Sequence, residues 1–429
     1  SFIMINYITF FSLILIFHLS LMKYSREIIF IFLISIFIKL ILIFMNNNFF
    51  YLMDGSADAL NFHKHMVMYL DEGKEFIFEK GLHDIYALSQ IGAYVYSLFG
   101  EDIIFMQLIS LCISSSTLII FYLCLKEFNL KTSHINLSCL IFLFHPFLLN
   151  YSILTMRETY SFFLLLSTLL LFFKYFNTKK VKYIISSLII AIPIYYINGG
   201  LLISYFIFFI FVIKPMIIKK RGTILKKFLA SIFLITCLFI FLYVLVEFAN
   251  VPYLRNMKQF LITFNPEIII SGQQYIQNNA LSSASYPDFL LSDGTFFDFA
   301  LKSIIRYFYF MFSPFPWDIV NLRQIIGLLE PFILLIFLTI IFKNYSELIK
   351  NEKFLFLLVL YVAVTFTYSF GVGNFGQGIM HKTKFVAILM ILSSAYYFKS
   401  FNNLFSSFTF TKAIKGYKNK KYHEMKNKK

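Results

Sequence analysis

Charged side chains are scarce in this sequence of 429 residues. Asp, Glu, Lys and Arg make up 14% of it, against about 25% in a typical soluble domain. Hydrophobic residues make up 59%, and the mean hydropathy is +0.75. This composition excludes a soluble enzyme, a disordered protein and a coiled coil. Apolar runs of about 18 residues or more recur along the chain, and we therefore predict an all-α, polytopic integral membrane protein.

Cysteine, proline and glycine are also scarce, at 4, 9 and 16 residues. All four cysteines fall inside apolar runs, which excludes a disulfide framework and a zinc-binding spacing. No Pro- or Gly-rich linker and no internal repeat divides the chain, so we predict a single membrane domain over residues 1–429. The first apolar run lacks a basic start and a small-residue cleavage site, and we expect no cleavable signal peptide.

Hydropathy predicts about eleven transmembrane helices. The expected centres of these spans are Phe10, Ile36, Ile113, Ile141, Leu166, Ile189, Phe206, Leu238, Leu335, Leu360 and Ile391.

The distribution of basic residues predicts the orientation. Alternate connections hold 26 of the 38 Lys and Arg residues but only five of the 22 acids. By the positive-inside rule this side is cytoplasmic, including the basic tail at about 400–429. The net charge of +16 is then a topology signal with attraction to anionic lipids, and we expect no nucleic-acid partner. The connections concerned are 20–27, 126–133, 174–183, 214–227, 343–353 and 399–429.

The opposite face carries two long loops, at about 47–102 and 250–325, and most of the acids. Shorter loops lie near 145–158, 197–200 and 371–384. We therefore expect any chemistry to occur on the outer face of the membrane.

The first long loop contains a regular series of polar residues. Asp54, Asp58, Asn61 and His65 recur at intervals of four, three and four, which on a helix forms one polar stripe. A carboxylate there can act as a general base toward a sugar hydroxyl or bind a divalent cation beside a phosphate. The alternative is an amphipathic interfacial helix whose acids are merely solvated.

The same loop continues as GLHDIYALSQIGAYVYSLFGED. Its apolar and aromatic residues predict a second segment packed against the bilayer. Glu101 and Asp102 come where the chain re-enters the membrane, and a helix N-terminal cap explains them without catalysis.

Several basic residues lie on the predicted outer face, although the positive-inside rule favours Lys and Arg on the cytoplasmic side. Arg157, next to Glu158, begins a span, and its partner is either a phosphate or a local acid. Arg306 lies in the second long loop with Trp317, the only tryptophan, which is either an interface anchor or a surface for stacking on a sugar.

The segment GVGNFGQGIMHKTKF places three further basic residues at an outer edge: His381, Lys382 and Lys384. Their function is either to bind a lipid phosphate or simply to snorkel from a helix end. Within the spans, Lys39, Glu247 and Glu330 also lie near enough to an end to snorkel.

Several of these motifs together resemble the bacterial polytopic glycosyltransferases of the GT-C type and the similar O-antigen polymerases. The matching features are Asp54 and Asp58, the run IYALSQIGAYVYSLFG, TMRE at Arg157–Glu158, SPFPW at 313–317 and GNFGQGIMHKTKF at 373–385. Two features depart from the pattern: Met380-His381-Lys382 stands where an Arg-His-Arg run is expected, and the first loop has no Asp-x-Asp.

The resemblance implies glycosyl transfer from a polyprenyl-(di)phosphate-linked glycan at the outer face of the bacterial inner membrane. It implies Asp58 or Asp54 as the base, and lipid-phosphate contacts from Arg157, His381 and Lys382. Repeat-unit polymerisation of a surface polysaccharide is the main expectation. Addition of a single sugar from a polyprenyl monophosphate, or a lipid-glycan flippase, are the alternatives. Expected partners are a polyprenyl-linked oligosaccharide, membrane lipids and other polysaccharide-assembly proteins. The use of a divalent cation stays open, and no nucleotide motif is present.

Overall fold

The computed structural model describes residues 26–55, 58–73, 87–218, 267–278, 285–292, 294–320 and 322–397, together with residue 12. This part of the chain is helical and forms no β-ladder, only one isolated antiparallel bridge between Ser285 and Asn374. Its helices are α1 Arg26–Asn48, α2 Asp58–Asp71, α3 Ala87–Phe99, α4 Ile103–Lys126, α5 Thr132–Phe144, α6 Pro146–Tyr151, α7 Arg157–Thr178, α8 Lys182–Asn198, α9 Ile203–Ile218, α10 Glu267–Asn278, α11 Phe296–Phe312, α12 Leu322–Gly327, α13 Leu329–Lys343, α14 Tyr345–Leu348, α15 Glu352–Phe370, α16 Phe375–Thr383 and α17 Val386–Ser394.

Six helical segments in this part of the chain are long and apolar enough to cross a membrane. An α-helix needs about 20 apolar residues to span the hydrocarbon core, so these segments make the protein an α-helical membrane protein. They are Arg26–Asn48, Ile103–Lys126, Arg157–Thr178, Tyr196–Ile213, Gln324–Lys343 and Glu352–Phe370.

The count of eleven spans stays a prediction. Six of the expected centres fall in the six long segments, and two more, Ile141 and Ile189, fall in the shorter apolar helices Thr132–Phe144 and Lys182–Ile194. Ile391 lies in the nine-residue α17. The remaining two centres, at positions 10 and 238, lie outside the described residues.

Helix α7 lies at the centre of the bundle and packs against α4 and α8. Its inward face is fully buried at Leu165, Leu169 and Phe172. Phe172 stacks on Phe208 of α9 with ring centroids 3.7 Å apart. Because lipid tails are as apolar as leucine, close packing of this kind, more than the hydrophobic effect, holds membrane helices together.

The helices place polar clusters at two opposite ends of the bundle. At one end, the Asn177 amide of α7 donates to the Glu127 carboxylate at 2.6 Å, and the Lys353 ammonium donates to Asn177 at 2.9 Å. We call this the Lys353 end. The start of α7 lies at the other end, where Tyr151 contacts Asp54. We call this the Asp54 end.

Two helices of the first long loop, α2 and α3, pack on each other at the Asp54 end. The hydroxyl of Ser89 donates to the Phe62 carbonyl at 3.0 Å, and Met66 is fully buried between the helices. A second packed segment is thus present as helix α3, and its packing against the bilayer stays a prediction. Asp102 caps α4 by accepting from the Ile104 N–H at 2.8 Å, as predicted.

Gly92 permits the close approach of α3 to α2. A β-carbon at this position would lie 2.5 Å from the Met66 sulfur, closer than atoms can pack. We expect Gly92→Val to lower the free energy of unfolding by about 1–3 kcal/mol, because an overpacked interface forces shifts of side chains and backbone. Unfolding of the purified protein in mixed micelles measures this. Leu98→Val, at a position 56% exposed on the same helix, is the control and should stay within about 0.5 kcal/mol of the wild type. Equal stability of the two variants would contradict the close packing.

Candidate functional site

Asp54 is fixed in place by contacts between the loop after α1 and helix α6. The residue has a left-handed backbone conformation, with φ of +62°, which Asp tolerates better than most residues. Its carboxylate accepts a hydrogen bond from the Tyr151 hydroxyl at 2.9 Å. Next to it, the Asn150 amide donates to the Met53 carbonyl at 3.1 Å. The helix begins only at Asp58, so Asp54 is not part of a helical stripe as expected, and the turn places its carboxylate instead.

Glu158 is the centre of a buried charge cluster at the start of α7. One oxygen of its carboxylate, Oε1, lies 3.2 Å from the Lys384 Nζ atom and 3.4 Å from the Arg157 Nε atom. The side chains of Glu158 and Lys384 are 3% and 1% exposed. The other oxygen, Oε2, has no hydrogen-bond partner among the described residues. In the first turn of a helix a carboxylate is further stabilised by the helix dipole.

Arg157 lies where this buried cluster meets the surface. A quarter of its side chain is exposed, at 26%. Its Nε donates to Glu158, and its two Nη atoms make no hydrogen bond to the described residues. The local ion pair that the sequence offered as an alternative is therefore present. The outer edge of the guanidinium still has N–H donors for an anion such as a phosphate.

Lys384 is held from three sides. Besides the Glu158 contact, its Nζ lies 2.9 Å from the His381 Nδ1 and 5.6 Å from the centre of the Tyr368 ring. Because an ammonium group only donates, His381 accepts through Nδ1 and carries its proton on Nε2. The Tyr368 hydroxyl in turn donates to Asn198. This burial excludes simple snorkelling for Lys384.

The electrostatic environment of Asp58 connects it to the same cluster. The residue begins α2 and is exposed, yet desolvation of its carboxyl raises its pKa. The negative charges of Asp54 and Glu158 raise this pKa further, whereas the positive charge of Arg157 lowers it. The charges of two carboxylates and one guanidinium thus act on Asp58 at the Asp54 end.

Four further predicted residues lie apart from this cluster. Lys382 is buried, which excludes snorkelling, and its Nζ donates to the Ser313 carbonyl at 2.9 Å. Arg306 is 1% exposed and donates to the Ser369 carbonyl at 3.1 Å and to the Val372 carbonyl. Both side chains thus donate to backbone carbonyl groups of distant segments and hold those segments together.

Trp317 and His65 are the other two. Trp317 is 76% exposed and lies flat on Phe315, with ring centroids 4.8 Å apart. This geometry fits both an interface anchor and a surface for a sugar. His65 lies two turns after Asp58 on α2 and faces the Tyr69 ring at 6.3 Å.

A second buried pair at this end was missed from the sequence. His145, just before α6, places its Nε2 3.5 Å from the Glu330 Oε2 of α13. Both side chains are almost fully buried. Glu330 therefore does not snorkel as we had interpreted, and position 247 lies outside the described residues. A histidine before a proline in an apolar segment was the available signal, but its partner is 185 positions away in the chain.

A cavity of about 530 Å³, counting its open part, extends from the charge cluster into the helix bundle. The surface of the cavity is mostly apolar, although ten of its seventeen lining residues carry a hydroxyl group or a charge. Its polar lining residues are Ser35, Lys39, Ser114, Thr117, Tyr151, Ser152, Glu158, Thr159, Thr383 and Lys384.

Among the described residues, no cluster of three or more His, Cys, Asp or Glu side chains is placed to hold a metal ion. The structure thus names no ligands for the divalent cation considered above. Compared with known proteins, the chain matches no family model, no curated protein and no solved structure.

The Glu158–Lys384 contact should show strong coupling. We expect Glu158→Gln and Lys384→Met each to lower the free energy of unfolding by about 3–5 kcal/mol, because each leaves a buried charge with less compensation. The double variant should cost clearly less than the sum of the two. Unfolding in mixed micelles measures the cycle. Lys353→Met, at the opposite end of the bundle, is the control and should be additive with Glu158→Gln. Additivity of the Glu158 and Lys384 variants would contradict the pairing.

Proposed function

We propose that this protein transfers a glycosyl group from a polyprenyl-(di)phosphate-linked glycan, and that it polymerises surface-polysaccharide repeat units. The observation that carries the proposal is the grouping of Asp54 and Asp58 with the free guanidinium edge of Arg157 at one end of a membrane bundle. Such a site combines acceptors for a hydroxyl proton with a donor for phosphate oxygens. A lipid-linked sugar presents both groups at a membrane surface.

The proposed reaction needs one base and one anion-stabilising group. The acceptor hydroxyl oxygen attacks the anomeric carbon of the donor while its proton passes to the Asp58 carboxylate. The bond from that carbon to the phosphate oxygen breaks, and the (di)phosphate leaves with the electron pair. In this proposal Arg157 stabilises the charge that develops on the leaving group, where fixed cations contribute most.

Asp58 is better suited than Asp54 to be the base. It is exposed, and its raised pKa makes it a stronger proton acceptor than an ordinary aspartate. Asp54 is already bonded to Tyr151 and acts on Asp58 through its charge. His381 and Lys384, expected to touch phosphate, instead contact each other, and Lys384 contacts Glu158. We therefore assign both to positioning Glu158 and, through it, Arg157.

The orientation is part of the proposal. Lys126, Lys179 and Lys353 all lie at helix ends on the Lys353 side of the bundle. The positive-inside rule makes that side cytoplasmic, so that the Asp54 end faces outward from a bacterial inner membrane. Lipid-linked glycans are expected to be assembled on that outer face.

A lipid-glycan flippase is a second candidate because of one observation. Lys39 is buried well inside a membrane-spanning helix, and ionisable residues at such depth are typical of transport pathways. The single-sugar transferase would use the same groups as the polymerase, and the products distinguish the two enzymes.

The proposal is tested by the glycan that cells make without this protein. Gene deletion should remove the long glycan ladder on a gel while a single repeat unit is retained. A repeat unit shorter by one sugar would instead identify the single-sugar transferase. Accumulation of complete lipid-linked repeats on the cytoplasmic face would identify the flippase, and an unchanged ladder would exclude all three.

The role of Asp58 is tested in the same cells. We expect Asp58→Asn, at wild-type membrane levels, to abolish the ladder, because an amide cannot accept the hydroxyl proton. Asp71→Asn, the same substitution at the exposed end of α2, should leave the ladder intact. A full ladder with Asp58→Asn would remove this residue from the mechanism.

The pH dependence of the transferase gives an independent test with a defined sign. Asp54→Asn removes a negative charge near Asp58 and so lowers the pKa of Asp58. The acidic limb of kcat/KM should then move to lower pH. Arg157→Leu removes a positive charge and should move the limb to higher pH, besides lowering kcat. The assay uses purified protein and lipid-linked glycan, and limbs that stay in place in both variants would contradict Asp58 as the base.

A further inference from the structure

Lys39 lies deep in the bundle. It precedes the end of α1 at Asn48 by nine residues, which is about 14 Å along the helix axis. Its side chain is not directed toward a membrane surface, since the residue is only 4% exposed within the protein. The interpretation that Lys39 snorkels is therefore wrong: neighbouring helices enclose it.

Among the described residues, the Lys39 ammonium has a hydroxyl group as its hydrogen-bond partner and no carboxylate as an ion-pair partner. Its Nζ donates to the Ser114 Oγ of α4 at 2.9 Å, and that hydroxyl donates onward to the Leu111 carbonyl. None of the ion pairs in the described part of the chain includes Lys39. Two of its three N–H groups are thus left for another acceptor.

A second donor lies one turn away. Ser35 precedes Lys39 by four residues on α1 and so faces the same side of the helix. It is 1% exposed, and its Oγ has no hydrogen-bond partner among the described residues. Both residues line the cavity that extends from the charge cluster.

The charges of the cavity wall do not balance. Glu158 and Lys384 compensate each other at 3.2 Å, and Lys39 is the third charged lining residue. An isolated ammonium in an apolar surrounding is costly unless an opposite charge and hydrogen bonds compensate it. Unused donors on Lys39 and Ser35, the lack of an acidic partner for Lys39 among the described residues and the adjoining cavity together favour a negatively charged acceptor.

We propose that this cavity binds a monoanion between Lys39 and Ser35, in the interior of the membrane bundle. Two sources offer this chemistry: a small inorganic anion from solution, and the phosphodiester group of an anionic membrane lipid. The site is distinct from Asp58 and the outer edge of Arg157, and it stands whether or not the protein transfers sugars.

The inorganic source is tested with bromide as the probe. The full-length protein is titrated with bromide at constant ionic strength, with gluconate as the large replacement anion, and its thermal midpoint is recorded. A bound anion stabilises the folded state by mass action, so the midpoint should rise saturably, by about 2–4 °C. The rise should be lost in Lys39→Met and kept in Lys39→Arg.

Ser35→Ala tests the second donor and guards against misfolding of the lysine variant. Loss of one hydrogen bond to an anion should weaken bromide binding by about ten-fold. Ser116→Ala is the matched control, since its hydroxyl donates to the Cys112 carbonyl and does not line the cavity. This control should bind bromide as the wild type does.

The lipid source is tested on the same preparations by mass spectrometry of co-purified lipid. About one anionic phospholipid per protein in the wild type, lost in Lys39→Met and kept in Ser116→Ala, would support the proposal with a lipid as the ligand. If neither bromide nor anionic lipid binds in a way that depends on Lys39, the proposal is overturned, and Lys39 is then an uncharged amine.

Discussion

The Glu158 carboxylate, held between Lys384 and Arg157, is the interaction on which the arrangement of the Asp54 end depends. It joins the start of α7 to the segment that follows α16, although these lie more than two hundred positions apart in the chain. Glu158 and Lys384 are buried, and in a low-dielectric surrounding neither charge is stable alone, because each loses its hydration. Their mutual compensation therefore fixes the distance between the two helices.

This compensation also determines which donors remain for a ligand. Lys384 is enclosed by Glu158, His381 and Tyr368 and is only 1% exposed. Arg157 donates to Glu158 through its Nε atom only. A guanidinium can serve a structural partner with one edge and an anion with another, which an ammonium does less well. The division of roles follows from the shapes of the two cations.

Much of the helical framework follows from hydropathy, because each long apolar segment satisfies its own backbone hydrogen bonds in a membrane. The helix cap at Asp102 and the start of α7 at Arg157 also depend on neighbouring residues in the chain, and both were predicted. The partners of Lys382 and Lys384 were not predicted. The two lysines are two positions apart in the chain, yet Lys382 donates to the Ser313 carbonyl and Lys384 contacts the distant carboxylate of Glu158.

The position of Asp54 shows a second limit of sequence reasoning. Its spacing from Asp58 fits a helix, but the left-handed turn at Asp54 ends that pattern before the helix begins. What fixes the turn is tertiary: the Tyr151 hydroxyl and the Asn150 amide reach it from α6. A periodicity of four residues carries no information about such partners. The burial of Lys39 and Glu330 was missed for the same reason. The sequence shows how near each residue lies to a helix end, but it does not show which other helices pack around it.

Tyr151 separates the exposed site from the internal cavity and touches both. Its hydroxyl donates to Asp54, its residue lines the cavity, and its carbonyl accepts from Thr159 at 2.6 Å. Tyr151 is thus a wall shared by the cavity and the site, and it holds Asp54, whose charge acts on Asp58. Glu158 is shared in the same way, since it lines the cavity and its negative charge raises the pKa of Asp58. The charge cluster therefore belongs both to the exposed site and to the cavity behind it.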